Sequence, residues 1–305
     1  MPASRWVLVL ATLLATAVPA RAREDGAPAR ALGMSDAVRS LGFGTSGLYF
    51  NPAAMSQVMS YTIDIGYGWR SWGGAHNAHL SFVDSKTNPD VAGGAGYTYA
   101  HRRKGDFTTQ THDLRFGVSS VVRGKGILFC YGGGFRYMKV ERNGPGTTYD
   151  MNKWAPTLDL GVLLGVNDLI FIGISAQNIL KMPVAKAPQA QDRIFFGPRT
   201  VGIGVGLQYS ILHWGVDVDI DLQSKGDNKA TVSPMTGLEV VLAQTIALRV
   251  GFHWDRVSNL AHDQYRISGG LGYISRYVGV DVGYSHDVKH ASDYVIESSI
   301  RVFLP

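Results

Sequence analysis

Residues 214–223 read Trp-Gly-Val-Asp-Val-Asp-Ile-Asp-Leu-Gln, a strict alternation of apolar with small or charged side chains. Neighbouring side chains of a β-strand point to opposite faces, so this stretch is a strand whose two faces meet different surroundings. Trp214, Val216, Val218, Ile220 and Leu222 form one face; Gly215, Asp217, Asp219 and Asp221 form the other. The aspartates also resemble the opening of a calcium loop. That reading fails, because the required glycine position holds Leu222 and the intervening residues are apolar.

The same alternation extends both ways along the chain. Val201, Ile203, Val205, Leu207 and Tyr209 oppose Gly202, Gly204, Gly206 and Gln208; Leu248, Val250, Phe252 and Trp254 oppose Arg249, Gly251, His253 and Asp255. Tyr61–Arg70 and Tyr277–Ser285 repeat it. About fourteen such segments follow by this criterion, near 61–70, 76–84, 91–102, 111–122, 127–139, 154–166, 169–180, 198–210, 211–223, 232–243, 245–256, 265–275, 277–287 and 293–304. Most are long enough to cross a bilayer when tilted, which takes roughly nine to eleven residues. An even number suits a bacterial outer-membrane barrel.

The connections carry independent information. Arg123-Gly124-Lys125, Asn167-Asp168, Ser210-Ile211 and Gln244-Thr245 are tight, whereas Arg103–Gln110, Val140–Lys153, Lys181–Gly197 and Arg256–Gln264 are longer and polar. Alternation of short turns with longer loops is the mark of such a barrel, with the turns in the periplasm. Trp72-Gly73-Gly74 and the longer Asp84–Asp90 connection break the rule. Tyr67, Trp69, Trp154, Tyr209, Trp214, Tyr273 and Tyr277 near segment ends fit the interfacial belts of a membrane protein.

Composition agrees. Of 305 residues, 45% are hydrophobic and 17% charged, with 37 glycines, which suits an aromatic-rich, glycine-tolerant all-β chain. Met1–Ala22 reads as a signal peptide: Arg5, an apolar core Trp6–Val18, and the small-x-small site Ala20-Arg21-Ala22. The lone Cys130 cannot form an internal disulfide, and neither a metal site nor a cofactor motif is present. The net charge of +5 comes without a Lys/Arg block, which argues against nucleic acid. Basic residues in the longer loops, among them Arg102, Lys139, Lys186 and Arg256, suit contact with outer-membrane lipids and the phosphates of lipopolysaccharide.

Residues 23–60 stand apart from this pattern, between the signal peptide and a barrel over 61–305. Ala31–Ser60 is apolar, aromatic and glycine-rich, built to be enclosed. Ser35 is expected to cap a short helix Asp36–Leu41, and Asn51-Pro52 reads as an N-cap followed by proline at the first helical position. Gly42-Phe43-Gly44-Thr45-Ser46-Gly47 matches G-x-G-x-x-G, but no strand precedes it, so it is not a dinucleotide site.

Asp64, Asp217, Asp219, Asp221, Arg249, Asp255, Asp281 and Arg301 fall on the inner face by register, with Asp113, Arg115, Asp159, Glu239, Arg266 and Glu297. Two readings stand: they pair across the lumen as structure, or they line a polar path. Only His253 and Asp255 of the His/Asp neighbours share a face, and no serine is singled out beside them, so the chain does not read as an enzyme.

Asp36-Ala37-Val38 followed by Tyr49-Phe50-Asn51-Pro52-Ala53-Ala54-Met55 resembles the N-terminal hatch motif of FadL-type outer-membrane transporters of hydrophobic compounds. The resemblance implies a plugged barrel of fourteen strands, a hatch centred on Tyr49, Phe50, Asn51, Pro52 and Ala53, and a small hydrophobic ligand such as a fatty acid. It also implies a kink in the third strand that opens the wall sideways, for which Gly93 and Gly94 are the candidates. Gly173-Ile174-Ser175-Ala176-Gln177-Asn178-Ile179 is similar to a strand ending of the sister PorV-like barrels, which implies the alternative of an accessory barrel with a protein partner in secretion or surface attachment.

Overall fold

The computed structural model describes residues 28–71, 74–104, 106–144, 151–180, 199–222, 230–256 and 263–304. The signal-peptide reading and the whole 181–197 connection, Lys186 included, lie outside them.

Fourteen strands form: β1 (Tyr61–Arg70), β2 (Ala75–Asn88), β3 (Val91–Lys104), β4 (Phe107–Gly124), β5 (Ile127–Asn143), β6 (Met151–Val166), β7 (Ile170–Gln177), β8 (Thr200–Tyr209), β9 (Leu212–Asp221), β10 (Thr231–Leu242), β11 (Ile246–Asp255), β12 (Gln264–Ile274), β13 (Val278–Asp287) and β14 (His290–Leu304). Each pairs antiparallel with its sequence neighbours, and β1 meets β14 from Tyr61↔Leu304 to Arg70↔Val295, which closes the barrel. Closure leaves no sheet edge to satisfy in lipid.

The faces are inverted relative to a water-soluble protein. Ile65, Val118 and Leu271 are 56%, 61% and 57% exposed, while Asp64, Asp217 and Asp281 on the inner side are wholly buried. So continuous an apolar exterior is a surface made for lipid. Tyr67 and Trp154 mark its loop end, and Tyr209, Tyr273 and Tyr277 its turn end.

The tight turns have a local cause. Asn167 and Asp168 have φ of 53° and 54°, and Ala243 and Gln244 have 48° and 58°. Positive φ at both central residues is the hairpin geometry whose twist matches the flanking strands.

One expectation about the wall needs correction. The Asp84–Asp90 connection is not a long loop: β2 runs on to Asn88 and meets Val91, with a register irregularity between Asp84 and Asn88. Ser85-Lys86-Thr87-Asn88 is polar throughout, so its strand carries no alternation to read. Gly93 and Gly94, the candidates for a sideways opening, lie within β3. Gly93 faces Asp84 and Val118, and Gly94 faces Val83 and Gly117, in a ladder continuous on both sides.

The segment before β1 holds α1 (Ala29–Gly33), α2 (Thr45–Phe50) and a 3-10 helix over Pro52–Ser56. The helix expected over Asp36–Leu41 is absent. Ser35 and Asp36 instead take φ of 52° and 64°, a left-handed turn that follows α1. The Asn51 cap forms as expected: its side chain accepts from Ala53 N at 3.2 Å, with Pro52 opening the 3-10 helix.

Candidate functional site

The hatch is a coil laid around the inner wall, and the wall is bare where it lies. Inward-facing glycines at mid-height mark its course in descending strand order. A Cβ at Gly283 on β13 would sit 2.5 Å from Ala29 O, one at Gly270 on β12 3.1 Å from Gly33 Cα, and one at Gly251 on β11 2.7 Å from the Met34 carbonyl carbon. Gly215 on β9 lies against Ala37 O. Gly173 on β7 would place a Cβ 2.9 Å from Arg39 O, Gly132 on β5 2.9 Å from Ala53 N, and Gly117 on β4 2.7 Å from Met55 Cε. Backbone thus packs on backbone around most of the circumference, and a side chain at these places would lift the coil from the wall.

Two hatch arginines anchor the first half of the coil. Arg30 donates to Glu239 at 2.9 and 3.1 Å and to Leu41 O at 3.0 Å. The Arg39 guanidinium pairs with Asp219 and bonds Ser175 Oγ and Phe50 O, while its backbone N donates to Asp217 at 2.8 Å. Both arginines are 2% exposed or less, so these are charge-assisted bonds in a dry setting, where loss of one partner strands the other.

The second half is held by shape and backbone. Asn51 Nδ2 donates to Arg39 O at 3.2 Å and to Val162 O at 3.1 Å, which joins both halves of the hatch to β6. A Cβ at Gly161 would overlap Asn51 Oδ1. Tyr49 O and Phe50 O, left open at the end of α2, accept from Gln177 Nε2 at 2.6 Å and Ser175 Oγ at 2.9 Å. Leu48, Tyr49, Phe50, Ala53 and Met55 are buried in one cluster with Val83, Ala92 and Val121 of the wall.

Of the sequence-derived lumen residues, all are buried on the inner face, and several form one chain of charges. Glu239 links Arg30 to Arg249 at 2.6 Å, and Arg249 reaches Asp281 at 2.6 Å. Asp281 pairs with Arg301, which stands 3.7 Å from Asp64; Asp64 holds His79 at 2.9 Å, and His79 lies 3.5 Å from Glu297. A second cluster gathers Arg115 and Arg136 on Asp113, each at 2.7 Å. Asp217 and Asp219 meet the hatch; Asp221 and Asp255 lie at the loop-end limits of β9 and β11. Gly94 lies on the hatch's path, where a Cβ would sit 3.2 Å from Met55 Sδ, and its neighbour Gly93 faces away from it.

Sequence reading did not single out Arg30, Arg39 or His79, and it named Ser175 and Gln177 only within the Gly173–Ile179 strand ending, not as partners of the hatch. The signal was present for the arginines: with Asp36 they are the three charges of residues 28–60, a segment otherwise built for enclosure, and the inner face opposite carries aspartates.

Above the hatch, toward the loops, is a cavity of about 100 Å³. Leu32, Tyr49 and Phe50 supply an apolar floor; Arg70, Asn77, Thr111, Arg115, His253 and Ser268 stand in its walls. Among the described residues no cluster of His, Cys, Asp and Glu could hold a metal ion.

No family model matches the chain, and no curated protein matches it in sequence. Solved structures match in fold. The CymD monoaromatic hydrocarbon channel superposes with a TM-score of 0.68 at 15% identity, over 91% of this chain and 97% of that one. A FadL homologue of Pseudomonas aeruginosa gives 0.64 at 12% identity, over 94% and 99%. The toluene transporter TodX of Pseudomonas putida gives 0.63 at 11%, over 92% and 98%. The chain has the fold of these channels. The strand number read from sequence agrees with the closed barrel of fourteen strands.

Proposed function

We propose that the protein is an outer-membrane channel for small hydrophobic molecules, such as fatty acids or single-ring hydrocarbons, held shut by its N-terminal hatch. The observation that carries this is the hatch itself, a coil sealed onto a glycine-lined wall beneath a cavity with an apolar floor. An open pore for ions would have no use for it. The likeness to a monoaromatic hydrocarbon channel, a toluene transporter and a FadL homologue supports the cargo class. The buried charges have one another and the hatch as partners, which supports a role as anchors for the closed channel.

In this reading a hydrophobic molecule enters from the loop end and rests on Leu32, Tyr49 and Phe50. It then passes when the coil leaves part of its track. The uptake test uses cells that lack their own route for hydrophobic compounds. Expression of the protein is expected to restore entry of a labelled fatty acid or of toluene, while conductance to ions stays low. Entry no faster than in cells with an unrelated barrel overturns the proposal.

A further inference from the structure

On β1 the inward glycines meet side chains of the wall instead of the coil. A Cβ at Gly66 would strike the His79 ring, and one at Gly68 would strike the Glu297 carboxylate and the Asn77 amide. These residues stand in rows across β14, β1, β2 and β3. Glu297, Gly68 and Asn77 form the first, Ser299, Gly66, His79 and Thr98 the second, and Arg301, Asp64 and Ser81 the third. The first row opens into the cavity above the hatch, whose walls include Glu297 and Asn77. Below the third, Thr62 Oγ1 lies 3.0 Å from Ser60 Oγ at the turn end.

Polar contacts link the rows from top to bottom. Asn77 Nδ2 donates to Glu297 at 3.3 Å, Glu297 lies 3.5 Å from His79 Nδ1, and His79 Nε2 meets Asp64 at 2.9 Å. One imidazole thus has a carboxylate at each nitrogen, the arrangement in which a histidine hands on a proton. A proton taken at Nδ1 from Glu297 makes the imidazolium, which gives its other proton from Nε2 to Asp64. Rotation of the ring about Cβ–Cγ then restores the starting tautomer. The hydroxyls of Tyr49, Ser81, Thr98 and Ser299 lie along this chain, each in a residue 4% exposed or less, and make no hydrogen bond within the protein. Buried hydroxyls of this kind are met by ordered water. Such water completes the way from Asp64 to Thr62, two residues or roughly 7 Å along β1.

We propose that Glu297, His79 and Asp64 carry protons between the cavity and the turn end while the hatch stays seated. Chains of Asp, Glu and His inside a membrane protein serve as proton relays. Arg301, 3.7 Å from Asp64, and the imidazolium repel metal cations, and the two carboxylates repel anions, so the route suits the proton alone. The inference does not rest on cargo: a barrel that moved no hydrophobic molecule would still show it.

The test places the purified barrel in liposomes that hold a pH-sensitive dye, imposes a pH step, and clamps the voltage with potassium and valinomycin. Wild type is expected to equilibrate faster than protein-free liposomes. His79→Gln, which keeps a donor for Asp64 but cannot relay, and Glu297→Gln are each expected to lower the added flux about tenfold or more, as loss of a positioned proton-transfer group does. His112→Gln, outward on β4, is expected to match wild type. Potassium conductance in planar bilayers is expected to stay as low in the variants as in wild type. Heat-modifiable mobility on a gel checks that each variant is a closed barrel, and Glu297→Gln carries the test where His79→Gln does not close. A wild type no faster than protein-free liposomes, full flux in either closed variant, an equal loss in His112→Gln, or proton flux that rises and falls with potassium conductance overturns the inference.

Discussion

Arg39→Leu should loosen the hatch without harming the barrel. Arg39 is 1% exposed and its guanidinium meets Asp219, Ser175 Oγ and Phe50 O. Removing one member of a buried ion pair costs about 3–5 kcal/mol, because the remaining charge stays desolvated. When the coil leaves its track both groups meet water and that penalty is relieved, so the cost falls on the seated state alone. At 1.4 kcal/mol per factor of ten, the unseated fraction rises by roughly two to three and a half powers of ten. In planar bilayers this appears as frequent openings where wild type is quiet. Arg39→Leu/Asp219→Leu, which replaces both partners, should return most of the quiet behaviour, since an apolar pair of similar shape is close to neutral there. Openings as rare in Arg39→Leu as in wild type, or a double variant leakier than the single one, would refute the anchor.

Other outcomes follow from the same geometry. Gly161→Ala, whose Cβ overlaps Asn51 Oδ1, should cost about 1–3 kcal/mol of hatch seating and raise conductance, whereas Gly133→Ala on the outer face of β5 should not. Val280→Arg, lipid-facing on β13, should lower barrel stability by about 2–4 kcal/mol in a urea-unfolding assay in lipid, with polar replacement at the inward neighbour Gly279 far milder. A cysteine at Asp106 should react with an impermeant reagent on intact cells and one at Asn167 should not; the native Cys130 is buried and gives little background. Deletion of Leu41–Met55 should leave an insertable barrel of markedly higher single-channel conductance.

The barrel was legible because every strand separates lipid from lumen, and a two-faced strand must alternate. β9 shows this most plainly, with its aspartates inside and Val216, Val218 and Ile220 outside. Legibility ended where that contrast ended: β2 beyond Asp84 is polar on both faces and looked like a loop. In the hatch, Ser35-Asp36 carries the residue types of a helix cap, but Asp36 N bonds back to Ala31 O at 2.9 Å and Ser35 Oγ bonds Ser268, so the pair closes α1 instead of opening a helix. Asn51-Pro52 was read correctly because its cap is local. The partners of Arg30 and Arg39 lie 209 and 180 residues away, a distance that no local pattern spans. The glycines opposite the coil were visible as the small residues of each polar face, yet only the path of the hatch explains their shared height.

The most direct test of hatch-gated passage is a reversible lock. Ser35 Oγ of the hatch lies 2.9 Å from Ser268 Oγ of β12, so cysteines at those positions would face each other across the hatch–wall contact. Uptake of a labelled fatty acid or of toluene through Ser35→Cys/Ser268→Cys would be measured oxidised and then after a reductant. The expected result is slow uptake while the hatch is tethered and wild-type uptake once it is freed. Equal uptake in the two states, with the crosslink confirmed by mass spectrometry, would contradict a channel that opens by moving this end of its hatch.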